Sequence, residues 1–169
     1  MNKNKLINAL TLAFTVAFLP SIWAVLSTHV GVTVGAVALI CAGLFAALGN
    51  NIKLAIPVSV GFLCGDVWAV IATKVMAGSG LNPDLTVYLT LFVMAGLAVI
   101  IGSVLEKFIF VPAWLAGWAI GLTIMGPMDA SALGSMPIQI GAAMLAGVWY
   151  VGVVGDLFQR ALIKLFTKK

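Results

Sequence analysis

Residues Leu54–Val75 read LAIPVSVGFLCGDVWAVIATKV, an apolar run broken by only two formal charges, Asp66 and Lys74. A helix of about 20 apolar residues crosses a hydrocarbon core roughly 30 Å thick. The run is continuously apolar and does not alternate, so it reads as a membrane helix and not as a barrel strand. Five further runs have this character: Leu6–Leu26, Gly31–Gly49, Leu85–Val104, Phe108–Met125 and Pro137–Phe158. The expectation is an all-α integral membrane bundle of about six transmembrane helices. It forms a single polytopic domain over residues 1–169, with spans at 6–26, 31–49, 54–75, 85–104, 108–125 and 137–158.

Composition agrees with this reading. Of 169 residues, 63% are hydrophobic and 8% charged, against about a quarter charged in a soluble domain. So few charges cannot cover a water-facing surface, and the partner of that surface is the lipid bilayer. The net charge of +4 does not point to nucleic acid, because the basic residues sit at span ends. With the N-terminus inside, Lys3, Lys5, Lys53, Lys107, Arg160, Lys164, Lys168 and Lys169 all fall at cytoplasmic ends and only Lys74 falls outside. Cytoplasmic loops of membrane proteins carry such an excess of Lys and Arg, so both termini are expected in the cytoplasm. Cys41 and Cys64 lie inside apolar runs and read as small apolar residues.

Asp66 is the residue that invites chemistry. Twelve residues into its run, at 1.5 Å per residue, it stands roughly 18 Å from the inner end, near the midplane. A carboxylate there costs about 2.5–3.5 kcal/mol on insertion scales, and such residues face a bundle interior or a wet cavity. It reads as a proton carrier, a cation site or a polar anchor in a pore wall. Structural readings stand beside these: a helix–helix hydrogen bond from the protonated acid, or a pair with Lys74 two turns on.

Aromatic residues give a second signal. Trp and Tyr normally mark the membrane interfaces, as Trp23, Tyr88 and Trp68 would. Trp118, Trp149 and Tyr150 fall ten or more residues into their spans. They either pack between helices or narrow a passage for a small solute. Pro20 interrupts the first span and frees a carbonyl, with Ser21 beside it to satisfy local polar groups. The pore or solute-binding candidates are therefore Asp66, Trp118, Trp149, Tyr150, Pro20 and Ser21. Asp156 and Arg160, four apart, read as an interfacial ion pair. Asn50 and Asn51 read as a turn at the inner surface.

Glycines at spacing four, Gly31/Gly35, Gly61/Gly65 and Gly117/Gly121, allow close backbone approach. Their density on several faces motivates an expected homo-oligomer, with a trimer favoured. Lys53, Pro57, Gly61 and Gly65 also echo Lys107, Pro112, Gly117 and Gly121, a weak internal repeat. No catalytic set is visible. The lone His29 lies in an outer loop, no Cys or acid has metal-ligand spacing, and no glycine-rich loop precedes Lys-Ser/Thr. The chain is read as no enzyme, with no cofactor and no metal.

Two stretches carry a resemblance: Ser59-Val60-Gly61-Phe62-Leu63-Cys64-Gly65-Asp66-Val67-Trp68-Ala69 and Phe110-Val111-Pro112-Ala113-Trp114. With the length and six runs, they resemble a family of small bacterial inner-membrane proteins catalogued as domain of unknown function 1097. The resemblance implies the bacterial cytoplasmic (inner) membrane as the location and brings no established activity. The expected function is a channel or facilitator for a small polar solute of the urea, ammonia or short-carboxylate class. The alternatives are a proton- or cation-coupled transporter using Asp66, and a non-transporting membrane subunit of a larger assembly.

Overall fold

Six helices form, one for each apolar run. In the computed structural model, which describes residues 3–167, they are α1 (Lys3–His29), α2 (Val37–Ala47), α3 (Ile52–Gly78), α4 (Pro83–Val104), α5 (Val111–Met125) and α6 (Met136–Thr167). Lys168 and Lys169 lie outside the described residues, as does the side chain of Lys3. No strand occurs among the described residues. The starts follow local chemistry. Asn51 Oδ1 accepts from the Lys53 amide at 3.1 Å and caps α3. Asn82 Oδ1 accepts from Asp84 at 3.0 Å, with Pro83 in the first turn of α4. Pro112 and Pro137 open α5 and α6, where a missing N–H costs nothing.

The helices differ in reach. α1, α3, α4 and α6 are long and apolar enough to cross a membrane. The second and fifth expected spans are shorter than the sequence implied. α2 has 11 residues and α5 has 15, about 17 and 22 Å at 1.5 Å per residue, less than the roughly 30 Å core. The run from Gly31 does not begin as helix. Gly31 takes a positive φ of 79°, and the next residues turn across the start of α6. There Gln139 Oε1 accepts from the Thr33 amide at 2.9 Å and from its hydroxyl at 2.8 Å. α6 in turn runs on to Thr167, past the expected end at Phe158.

The ends of the bundle are fixed by contacts. Gln159 near the end of α6 donates to Asn8 Oδ1 near the start of α1 at 3.2 Å. The Phe110 amide before α5 donates to Pro57 O in the first turns of α3 at 3.0 Å. The first and last described turns therefore share one end with the α2–α3 and α4–α5 connections.

Helix association inside lipid is driven by packing, because lipid tails are as apolar as leucine. Two seams supply that packing. In the first, Gly61 and Gly65 of α3 meet Gly117 and Gly121 of α5. A methyl at Gly61 would stand 2.5 Å from Phe110 O, and one at Gly117 2.6 Å from Phe62 O. The two glycine patterns that read as a repeat are thus the two sides of one interface. In the second seam, α6 packs on α2. Gly147 lies on the Ala38 carbonyl and Cys41, and Gly152 on the Phe45 ring. α3 and α6 meet at the centre, α4 leans on α3, and α1 leans on α6.

The halves α1–α3 and α4–α6 so share one plan, long, short, long. In each, the third helix pairs with the short helix of the other half. Because α1 and α4 start at opposite ends, the two plans are inverted. α4 buries only the row Thr86, Thr90, Met94, Ala98 and Gly102, near-continuous at spacing four. Its other faces expose large apolar side chains such as Phe92 and Ile100.

Candidate functional site

Asp66 points into the junction of α3, α5 and α6. It is 6% exposed, and its Oδ1 has no hydrogen-bond partner. Two glycines line the carboxyl, each at ordinary van der Waals range. A methyl at Gly121 of α5 would lie 3.6 Å from Oδ1, and a methyl at Gly141 of α6 3.6 Å from Oδ2. Leu63 lies beside Gly141, and Ala69 and Met125 lie beside Gly121, all of them apolar. The pair with Lys74 does not form. Lys74 is exposed, and the ion pair found among the described residues is Arg160 Nε–Asp156 Oδ2 at 2.7 Å. A short helix-surface pair of this kind contributes a few tenths of a kcal/mol, about 0.3–0.5. The reason Lys74 stays away is geometric. Eight residues on, Lys74 stands about 12 Å along the axis and roughly 80° around it from Asp66, on an exposed face of α3.

The aromatic candidates stand in different surroundings. Trp118 of α5 is buried in the same core as Asp66, with its indole N–H unpartnered. Trp149 of α6 donates through Nε1 to Ser59 Oγ of α3 at 2.9 Å, a bond across the central contact. The Tyr150 ring turns the other way and lies 6.5 Å from Trp23 of α1. The three side chains take different directions, Trp118 into the core, Trp149 toward α3 and Tyr150 toward α1. Trp68 is no interface marker. Its Nε1 donates to Met94 O of α4 at 3.1 Å, and its ring meets Trp114 edge-on at 5.2 Å.

Pro20 is buried and α1 runs through it without a break. Ser21 Oγ donates to Ala17 O at 2.6 Å. Pro20 lines a groove of about 190 Å³ between α1, α2 and α6, whose polar end holds Asn50, Asp156 and Gln159. This groove is separate from the Asp66 junction. Asn50 sits in a left-handed turn at φ 52° with a buried, unpartnered Oδ1. On the opposite end, Asp129 accepts from the Ser131 hydroxyl at 2.7 Å and its amide at 2.8 Å. Those bonds, the hydroxyl's first, hold its carboxyl below the usual carboxylate range.

Several site residues were not legible as such. Gly141 gave no spacing signal. Ser59 became relevant only through Trp149, 90 residues away. A further feature is the π-helical segment Ala146–Val154 inside α6. Its i→i+5 turns stack positions five apart, which puts Gly147 and Gly152 on one face toward α2. The five-residue glycine spacing was its signal.

A family model described as a protein of unknown function, DUF1097, matches residues 13–159. The chain belongs to this family. The match spans all of α2–α5 and most of α1 and α6, so the DUF1097 unit includes both glycine seams and the Asp66 junction. No curated protein and no solved structure matches this DUF1097 chain.

Proposed function

We propose that this DUF1097 protein carries a small polar solute across the membrane by alternating exposure of a site at the Asp66 junction. The observation that carries this reading is a carboxyl 6% exposed, with one oxygen unpartnered, in the middle of an apolar three-helix contact. A buried polar atom without a partner is costly, and intramembrane acids mark solute and ion paths. Inverted halves that meet at the midplane are a recurring plan of secondary transporters, and the long-short-long order supports the comparison. Enclosure of Asp66 favours a coupled transporter over a permanently open channel for urea, ammonia or a short carboxylate. Substrates of that size class suit a site framed by glycines.

The setting is part of the proposal. The family and the charge distribution support the bacterial inner membrane, with both termini in the cytoplasm. A homo-oligomer, with a trimer favoured, belongs to the proposal and finds support in the large apolar side chains that α4 exposes, Phe92 and Ile100 among them. The test is reconstitution into liposomes and a swelling or uptake screen over neutral and anionic small solutes, with and without a pH gradient. Uptake that Asp66→Leu abolishes in a folded protein is expected. A folded protein that moves no solute of this class under either condition belongs instead to a non-transporting assembly.

A further inference from the structure

We propose that Asp66 is a proton-binding site, so that the ion coupled to transport is H⁺ and not a metal cation. This rests on the transport reading above and names its coupling ion. The available ligands decide between the two. Hard cations collect about six oxygen ligands, and here one carboxyl supplies two. The facing positions Gly121 and Gly141 offer no side chain, and Leu63, Ala69 and Met125 offer no oxygen. Backbone carbonyls of α3 and α5 at this level are held in helical hydrogen bonds. Among the described residues no three His, Cys, Asp or Glu side chains gather closely enough to share a metal ion. A proton needs no coordination shell. It adds no bulk beyond the carboxyl itself, and it cancels a charge that apolar neighbours cannot solvate.

No other charged group competes for this role. α5 carries no titratable residue, and neither does the facing stretch Met136–Leu145 of α6. On α3 the nearest are Cys64, which packs on the separate cluster of Ala98, Ile109 and Trp114, and the exposed Lys74. Tyr150, farther along α6, faces Trp23. The proton balance at the site is simple: the carboxylate takes up one proton on the side where the junction opens and releases it on the other.

The test uses the full chain in liposomes treated with dicyclohexylcarbodiimide, an apolar reagent for protonated carboxyls. The carboxyl proton moves to a carbodiimide nitrogen, the carboxylate adds to the central carbon, and acyl migration leaves a stable N-acylurea. Peptide mass spectrometry is expected to find the adduct at Asp66, with less of it as pH rises. Replacing choline by sodium or potassium should not change its rate. Slower labelling in sodium or potassium at constant pH would make the junction a metal-cation site and overturn the proposal. Infrared difference spectra of wild type against Asp66→Asn guard against poor reagent access. They should show a protonated-carboxyl band that titrates with pH and ignores sodium. Absence of that band at every pH overturns the proposal as well. Labelling and infrared signals do not depend on solute flux. A proton site in a protein that moves no solute would therefore sink the transport reading alone, and flux without a titrating Asp66 would sink the proton.

Discussion

At the scale of single residues, the bond from Trp149 Nε1 to Ser59 Oγ joins the two central helices across the inverted halves. Ser59 is buried and Trp149 is 40% exposed, so the indole keeps one face toward lipid while its N–H is held inside. Interhelical hydrogen bonds in membrane proteins average about 0.6 kcal/mol, with a maximum of about 1.7. A double-mutant cycle of Ser59→Ala and Trp149→Phe, followed by unfolding in mild detergent, should give a coupling energy in that range. Strict additivity of the two single changes would mean that the bond does not hold α6 against α3. Nothing in the sequence paired these residues. Trp149 carried a signal only in its depth and Ser59 carried none, and only the crossing of α3 with α6 brings them together.

At the scale of elements, the seams should distinguish glycines that look alike in sequence. A methyl at Gly65 would overlap the Trp114 carbonyl, and one at Gly147 the Ala38 carbonyl. Both obstacles are backbone, so the helices would have to separate. Gly65→Ala and Gly147→Ala should each lower stability by about 1–3 kcal/mol, the usual cost of overpacking. Gly43 and Gly96 face open space. Gly43→Ala and Gly96→Ala should leave melting unchanged or raise stability by up to about 1 kcal/mol through helix propensity. Equal losses at all four positions would remove the seams as the source of cohesion.

The six elements were legible because hydropathy marks a helix wherever its apolar run is long. Their lengths were legible only in part. The start of the second run is as apolar as a helix, yet Gly31 and the Thr33–Gln139 bonds turn it into a loop over the mouth of α6. Asp66 was legible as a candidate from its charge alone. Its cradle was not, because Gly121 lies within a seam pattern and Gly141 lies outside any pattern. The directions of the aromatic side chains were not legible for a related reason. Depth along a span is written in the sequence, but the direction a side chain takes around the axis is set by neighbours. The π turn shifts that direction once more between Trp149 and Tyr150.

At the scale of the whole molecule, the two ends of the bundle differ in charge, and that difference should orient it. Lys5, Lys53, Lys107, Arg160 and Lys164 lie at the end shared by the start of α1 and the end of α6, whereas Lys74 lies near the opposite end of α3. Holding a short loop rich in Lys or Arg on the cytoplasmic side is the strongest rule of membrane orientation. The loops here are short enough for it to apply, at Leu48–Asn51 and Leu105–Phe110. Single cysteines at Gly80 and Lys107 report the two ends, since both positions are exposed and Gly80 touches nothing within 4 Å. A membrane-impermeant maleimide applied to intact cells should label Gly80→Cys and leave Lys107→Cys unlabelled until the membrane is opened. The unsubstituted chain sets the background from its own thiols, of which Cys41 is buried and Cys64 half-buried. The reverse pattern would turn the whole bundle over and place the loop of Asp129 in the cytoplasm. Equal labelling at both positions in intact cells would mean that the chain inserts both ways, as a pair of inverted halves with a small charge bias is able to do.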